Sequence, residues 1–107
     1  LRFMKEFLEG FDFLKMKPLN HLLTVKSGRL PGYAVFAEEG RQYAIYLERA
    51  NDVDLELKLP VGDYTYSSYD PVEGRETQSL PVKSRHGKIT FDLPASGEDF
   101  VVKIMVQ

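Results

Sequence analysis

The apolar positions of this 107-residue chain change period once along its length. Near the start, Phe3, Met4, Phe7, Leu8 and Phe11 recur every three or four residues, the spacing of one stripe on an amphipathic helix. Arg2, Lys5, Glu6 and Glu9 cancel on the remaining faces, so the stripe lacks the cationic flank that holds anionic lipid and reads as a protein-packing surface. Gly10 marks a left-handed stop. A second apolar knot runs to Met16 and meets Lys17-Pro18, where proline disfavours helix. One turn is expected over residues 18–23, and a loop over the turn-rich Ser27-Gly28-Arg29-Leu30-Pro31-Gly32.

From Tyr33 the period becomes two. Residues 33–37 and 43–47 flank Glu38-Glu39-Gly40-Arg41-Gln42, the spacing of a hairpin with glycine at a positive-φ position. Val53, Leu55, Leu57 and Leu59 alternate with Asp54, Glu56 and Lys58, which predicts a strand with one dry face. Turns at Pro60-Val61-Gly62-Asp63 and Asp70-Pro71-Val72-Glu73-Gly74 bracket a strand over 64–69 and precede a weaker one over 78–82. Strands over 89–93 and 100–106 flank Pro94-Ala95-Ser96-Gly97. About seven strands with turn signals about every 8 to 12 residues indicate a mainly all-β chain: an antiparallel β-sandwich preceded by a short N-terminal amphipathic helix. Residues 1–23 form the expected helix and linker, and 24–107 the sandwich. A barrel-like closure and an Ig-like strand order are the alternative arrangements. The predicted core is Phe36, Ile45, Leu47, Val53, Leu55, Leu57, Leu59, Tyr64, Tyr66, Ile89, Phe91, Val102, Ile104 and Val106.

Composition narrows the chemistry. With 43% apolar residues in a chain of this length there is material for one core. A net charge of -2 is far from the basic balance of a nucleic-acid binder, and no apolar run approaches the roughly 20 residues of a membrane helix. The absence of cysteine excludes disulfides and thiolate sites. His21 and His86 stand far apart with no metal-type spacing, and nucleophile-elbow and phosphate-loop motifs are missing. Asn51, Asp52 and Asp54 supply hard oxygens without the spacing of a calcium loop, and paired acids such as Glu98-Asp99 read as solubilising turn residues. No catalytic residue, metal site or cofactor is therefore assigned. Lys83, Arg85, His86 and Lys88 read as a solvated hairpin edge. By parity Tyr69 lies opposite Tyr64 and Tyr66, which makes it the expected exposed aromatic and the one candidate for ligand contact.

The order of these signals resembles a known family. Pro60-Val61-Gly62-Asp63-Tyr64-Thr65-Tyr66-Ser67-Ser68-Tyr69-Asp70-Pro71-Val72-Glu73-Gly74-Arg75-Glu76 is similar to the G-x-Y-x-V-x-W-Y/F-D/N-P-x-T-G-E segment of the C-terminal β-sandwich attached to bacterial glycoside-hydrolase-like barrels. That domain carries the label of a collagen-binding domain of a collagenase. The 32–37 and 43–47 pair resembles the family's hairpin, and residues 3–18 resemble its last barrel helix and exit. Ser68 stands where the family has tryptophan, and Val72-Glu73 where it often has Arg-Thr.

The resemblance implies a non-catalytic accessory domain of a glycoside hydrolase, with the catalytic carboxylates on a barrel preceding Leu1. The opening at Leu1, with no signal-peptide shape, then reads as a cut from a longer chain. Phe3, Phe7 and Phe11 become the expected domain-interface residues, with the preceding barrel as partner and polysaccharide or collagen as possible further partners. The alternative is an independent carbohydrate- or collagen-binding module. A secreted, periplasmic or cell-surface location follows if the parent is a bacterial glycoside hydrolase.

Overall fold

Alternating side chains that must bury one face draw the described residues into seven strands, all paired antiparallel. The computed structural model describes residues 8–70 and 75–107. In chain order the strands are β1 (Lys17–Pro18), β2 (Leu23–Arg29), β3 (Gly32–Glu38), β4 (Gln42–Lys58), β5 (Gly62–Asp70), β6 (Arg75–Ser84) and β7 (Lys88–Val106). They are linked in the order β1-β3-β4-β7-β5-β6, with β2 paired to β4 off that path.

Two strands are far longer than the rest and serve both layers. The first half of β4 pairs with β3 and with the second half of β7; its second half pairs with β2 and with the first half of β7. Register shifts between Leu47 and Asn51 mark the bend, where Arg49 (φ 46°) and Asp52 (φ 52°) take left-handed backbone. The result is a six-stranded layer, β1-β3-β4-β7-β5-β6, folded over a three-stranded layer, β2-β4-β7. Tyr66 of the larger layer meets Phe91 of the smaller edge-on, with ring centroids 5.5 Å apart.

Between the layers lies one main core. Tyr43, Ile45 and Leu47 from the first half of β4 join Val53, Leu55 and Leu57 from its second half, together with Val35, Tyr64, Val102 and Ile104. Burying a Leu or Ile side chain contributes about 1.5–3 kcal/mol, so these alternating positions drive the fold. Polar groups that enter the core are bonded: Ser84 (2% exposed) donates to the Leu59 carbonyl, and Tyr64 donates to the Pro60 carbonyl at 2.7 Å.

Several expectations are revised. The strands read as separate runs over 43–47 and 53–59 are one strand, as are those over 89–93 and 100–106. The expected loop over 27–32 is shortened to Leu30-Pro31, because β2 continues to Arg29 through two irregular steps of its ladder with β4. The expected turn over 18–23 is present as a 3-10 turn at Asn20–Leu22. Phe36 and Val106 do not belong to the core. Phe36 (46% exposed) is in register with Ala44, one position off the inward set of Val35 and Ala37, and Val106 (43%), though paired with Tyr64, is the last residue of β7 and lies beyond the covered part of the core. The expected N-terminal helix rests largely on residues 1–7, outside the described residues; among the described residues there is no helix of seven or more residues. Between Gly10 and β2 the chain forms only 3-10 turns at Phe13–Lys15 and Asn20–Leu22, with β1 between them.

Candidate functional site

The outward faces of the two layers differ in chemistry. On the three-stranded layer, Thr24, Asp54, Glu56, Lys58, Lys88 and Thr90 stand outward by their register. Glu56 takes Lys88 at 3.2 Å and Lys26 at 3.9 Å, and the Ser27 hydroxyl donates to Asp54 at 2.8 Å. The carboxylates at Glu56 and Asp54 are thus engaged within the face itself.

The six-stranded layer carries an apolar stripe on its outer face, between polar positions such as Gln42 and Lys103. Cross-strand pairs Phe36–Ala44, Tyr46–Val101 and Tyr69–Val101 run across β3, β4, β7 and β5 as one stripe. Tyr69 and Val101 are buried there beneath Leu8 and Phe11 and beside Ala44, a second cluster outside the main core. Phe13 (49% exposed), Phe36 and Tyr46 (41%) remain open to solvent around it, and Leu14 is 99% exposed.

Polar contacts fix the N-terminal segment to this face. Gln42, 4% exposed, exchanges two hydrogen bonds with the backbone of Asp12: its amide oxygen accepts the Asp12 N–H at 2.9 Å, and its amide nitrogen donates to the Asp12 carbonyl at 3.0 Å. A third bond runs from the same nitrogen to Glu38 at 3.0 Å. Lys103 donates to the Glu9 carbonyl, and its ammonium lies 5.1 Å from the Phe11 ring centroid. Burial under the segment holds the Lys103 pKa below its ordinary value, opposed by the charges of Glu9 and Glu76. Phe13 packs on Phe11 with centroids 5.5 Å apart.

At the rim of the stripe Tyr46 donates to Asp99, whose other carboxylate oxygen accepts the Arg49 backbone N–H at 2.9 Å. The Tyr46 bond holds the Asp99 carboxyl below its ordinary range, and the same bond pushes the Tyr46 hydroxyl up to about 12.

The residues singled out in the sequence are distributed unevenly over this surface. Phe11 lies on it, half-buried against Tyr69 and Val101; Phe3 and Phe7 lie outside the described residues. Tyr69 has the orientation its parity requires, opposite Tyr64 and Tyr66, but not the expected exposure: it is 7% exposed because Leu8 and Phe11 lie over it. Among the described residues no three His, Asp or Glu side chains gather into an ion-holding group, and the acids near the bend are engaged singly. Phe36, Tyr46 and Gln42 went unassigned in the sequence as surface residues. A signal was present, since Ala44 and Tyr46 make both parities of residues 43–47 apolar, the mark of a strand covered on two sides.

No family model and no curated protein matches this sequence. Among solved structures the chain is similar to one titled glycoside hydrolase, with a TM-score of 0.74 and 14% identity over 98% of this chain. The match spans 24% of that protein's length, so the shared part is a small portion of it. At this identity the likeness is one of fold.

Proposed function

We propose that this domain is the non-catalytic accessory β-sandwich of a glycoside hydrolase, packing on the catalytic barrel through the outer face of its six-stranded layer and stabilising it. The observation that carries the reading is the contrast between the two outer faces. One is polar, with Lys26 and Lys88 converging on Glu56 and Ser27 on Asp54; the other carries an apolar stripe with Phe36, Tyr46 and Phe13 still exposed beside the cluster under Phe11. The fold shared with 24% of a glycoside hydrolase chain supports an appended domain of this kind. Collagen binding draws no support from that likeness.

The experiment is made in the parent enzyme. Charged substitutions at Phe36 and Tyr46 are expected to lower the melting temperature of the barrel while leaving the isolated sandwich folded. A barrel whose stability and glycosidase activity are unchanged when the whole domain is deleted overturns the reading.

A further inference from the structure

The six-stranded layer is wider than the layer that covers it. In the smaller layer the first half of β7 has β4 on one side and, among the described residues, no strand on the other, so the inner face of β5 and β6 runs past the last strand above it. An open groove of about 200 Å³ remains between the free edges of β6 and β7. Leu80, Val82 and Phe91 line it and are only partly buried, while Gln78 and Asp92 stand at its margin.

Tyr66 lies at the back of this groove. The residue is 5% exposed, and its hydroxyl has no hydrogen-bond partner among the described residues. Every described side-chain nitrogen or oxygen sealed from solvent is bonded, so this hydroxyl is one that still reaches the groove. Burial, and secondarily the charge of Asp92, push it up to about 12, which keeps the phenol protonated and able both to donate and to accept.

The geometry points to this groove as a binding site for one sugar ring. A pyranose offers what the groove lacks: a C–H face for Leu80, Val82 and Phe91, and hydroxyls for Tyr66, Gln78 and Asp92. The volume lies below the roughly 300–1,000 Å³ of drug-sized ligand sites and suits a single ring. An extended peptide adding to the sheet is disfavoured, because Pro81 removes a backbone donor from the β6 edge, and Lys88 and Asp92 put charges along β7. The site is separate from the apolar outer face and does not depend on the accessory-domain reading.

The test is titration of the isotopically labelled chain with glucose, galactose, mannose, xylose and arabinose, and with an extended apolar peptide, followed by amide chemical shifts. Expected are shifts from at least one sugar confined to residues 66, 78–82 and 89–92. Tyr66→Phe should weaken that binding about three- to tenfold with the melting temperature unchanged, since the hydroxyl removed has no partner in the fold. Gln78→Ala, at an exposed position, carries the same expectation and decides the matter should Tyr66→Phe disturb folding. Absence of shifts with every sugar into the tens of millimolar, shifts from the peptide alone, or affinities unaltered in both variants overturns the assignment.

Discussion

Asp99 holds the backbone N–H of Arg49 at 2.9 Å where β4 turns from one layer into the other. Arg49 sits at φ 46°, a conformation costing a non-glycine residue about 1–2 kcal/mol, and the carboxylate fastens the strand there. Asp99→Ala is expected to lower stability by about 1 kcal/mol, at the modest end because the site is open to water. Arg49→Gly should be neutral or stabilise by up to about 1 kcal/mol, since the strain removed offsets the added chain entropy. Chemical denaturation of the two variants checks both signs.

Alkaline stability follows from the tyrosines. Tyr43 and Tyr66 are pushed up to about 12 by burial, and Tyr46 to about 12 by its bond to Asp99. A hydroxyl whose folded pKa exceeds its unfolded value of about 10 contributes stability that is complete below pH 10 and lost as pH rises toward 12. Spectrophotometric titration should show Tyr43, Tyr46 and Tyr66 ionising only as the chain unfolds. At the acid end, Asp99 contributes stability above its unfolded pKa and loses it as pH falls through its lowered folded value, so Asp99→Asn should flatten that limb.

Gly28 is held by a steric limit. Its φ is +88°, and a Cβ there would lie 2.0 Å from the Asp52 carbonyl oxygen, a backbone atom that cannot swing aside. Gly28→Ala should therefore cost roughly 3 kcal/mol or more, or prevent folding. Gly87→Ala has a similar φ, +80°, with nothing within 4 Å, and should cost only about 1–2 kcal/mol. Comparing the two melts separates collision from backbone strain.

Leu57 and Phe36 differ in the face they occupy. Leu57 is fully buried, so Leu57→Ala should cost about 2–5 kcal/mol. Phe36→Ala, on the outer stripe, should change the stability of this chain by less than about 1 kcal/mol. Equal losses in urea denaturation would show that the outer face is part of the folding core.

Gln42 secures the N-terminal segment by its paired bonds to Asp12. Gln42→Ala should speed amide hydrogen exchange at Asp12, release the cover over Tyr69, and lower global stability by about 1–2 kcal/mol. Unchanged exchange at Asp12 would mean that Phe11 and Lys103 hold the segment without it.

Strand positions were legible wherever inward residues alternate cleanly, as from Val53 to Leu59. The bends were not, because Arg49 and Asp52 carry none of the glycine signature expected of left-handed backbone, and the acceptor at Asp99 lies 50 residues away from Arg49. Residues Ser27-Gly28-Arg29 look like a turn, yet they continue β2, since Gly28 is required by close approach rather than by reversal. At Phe36 the alternation is visible in the sequence, but the inward positions are Val35 and Ala37, one step off the expected phase. For Tyr69 the phase was right and the exposure wrong, because the side chains that cover it arrive from the far end of the chain.

Sharing β4 and β7 between both layers has a mechanical corollary. Neither layer can peel away as a unit without straightening or unpairing two continuous strands at their bends. The sandwich should therefore melt in one step, and a load applied through either end of the chain would be carried by both sheets together.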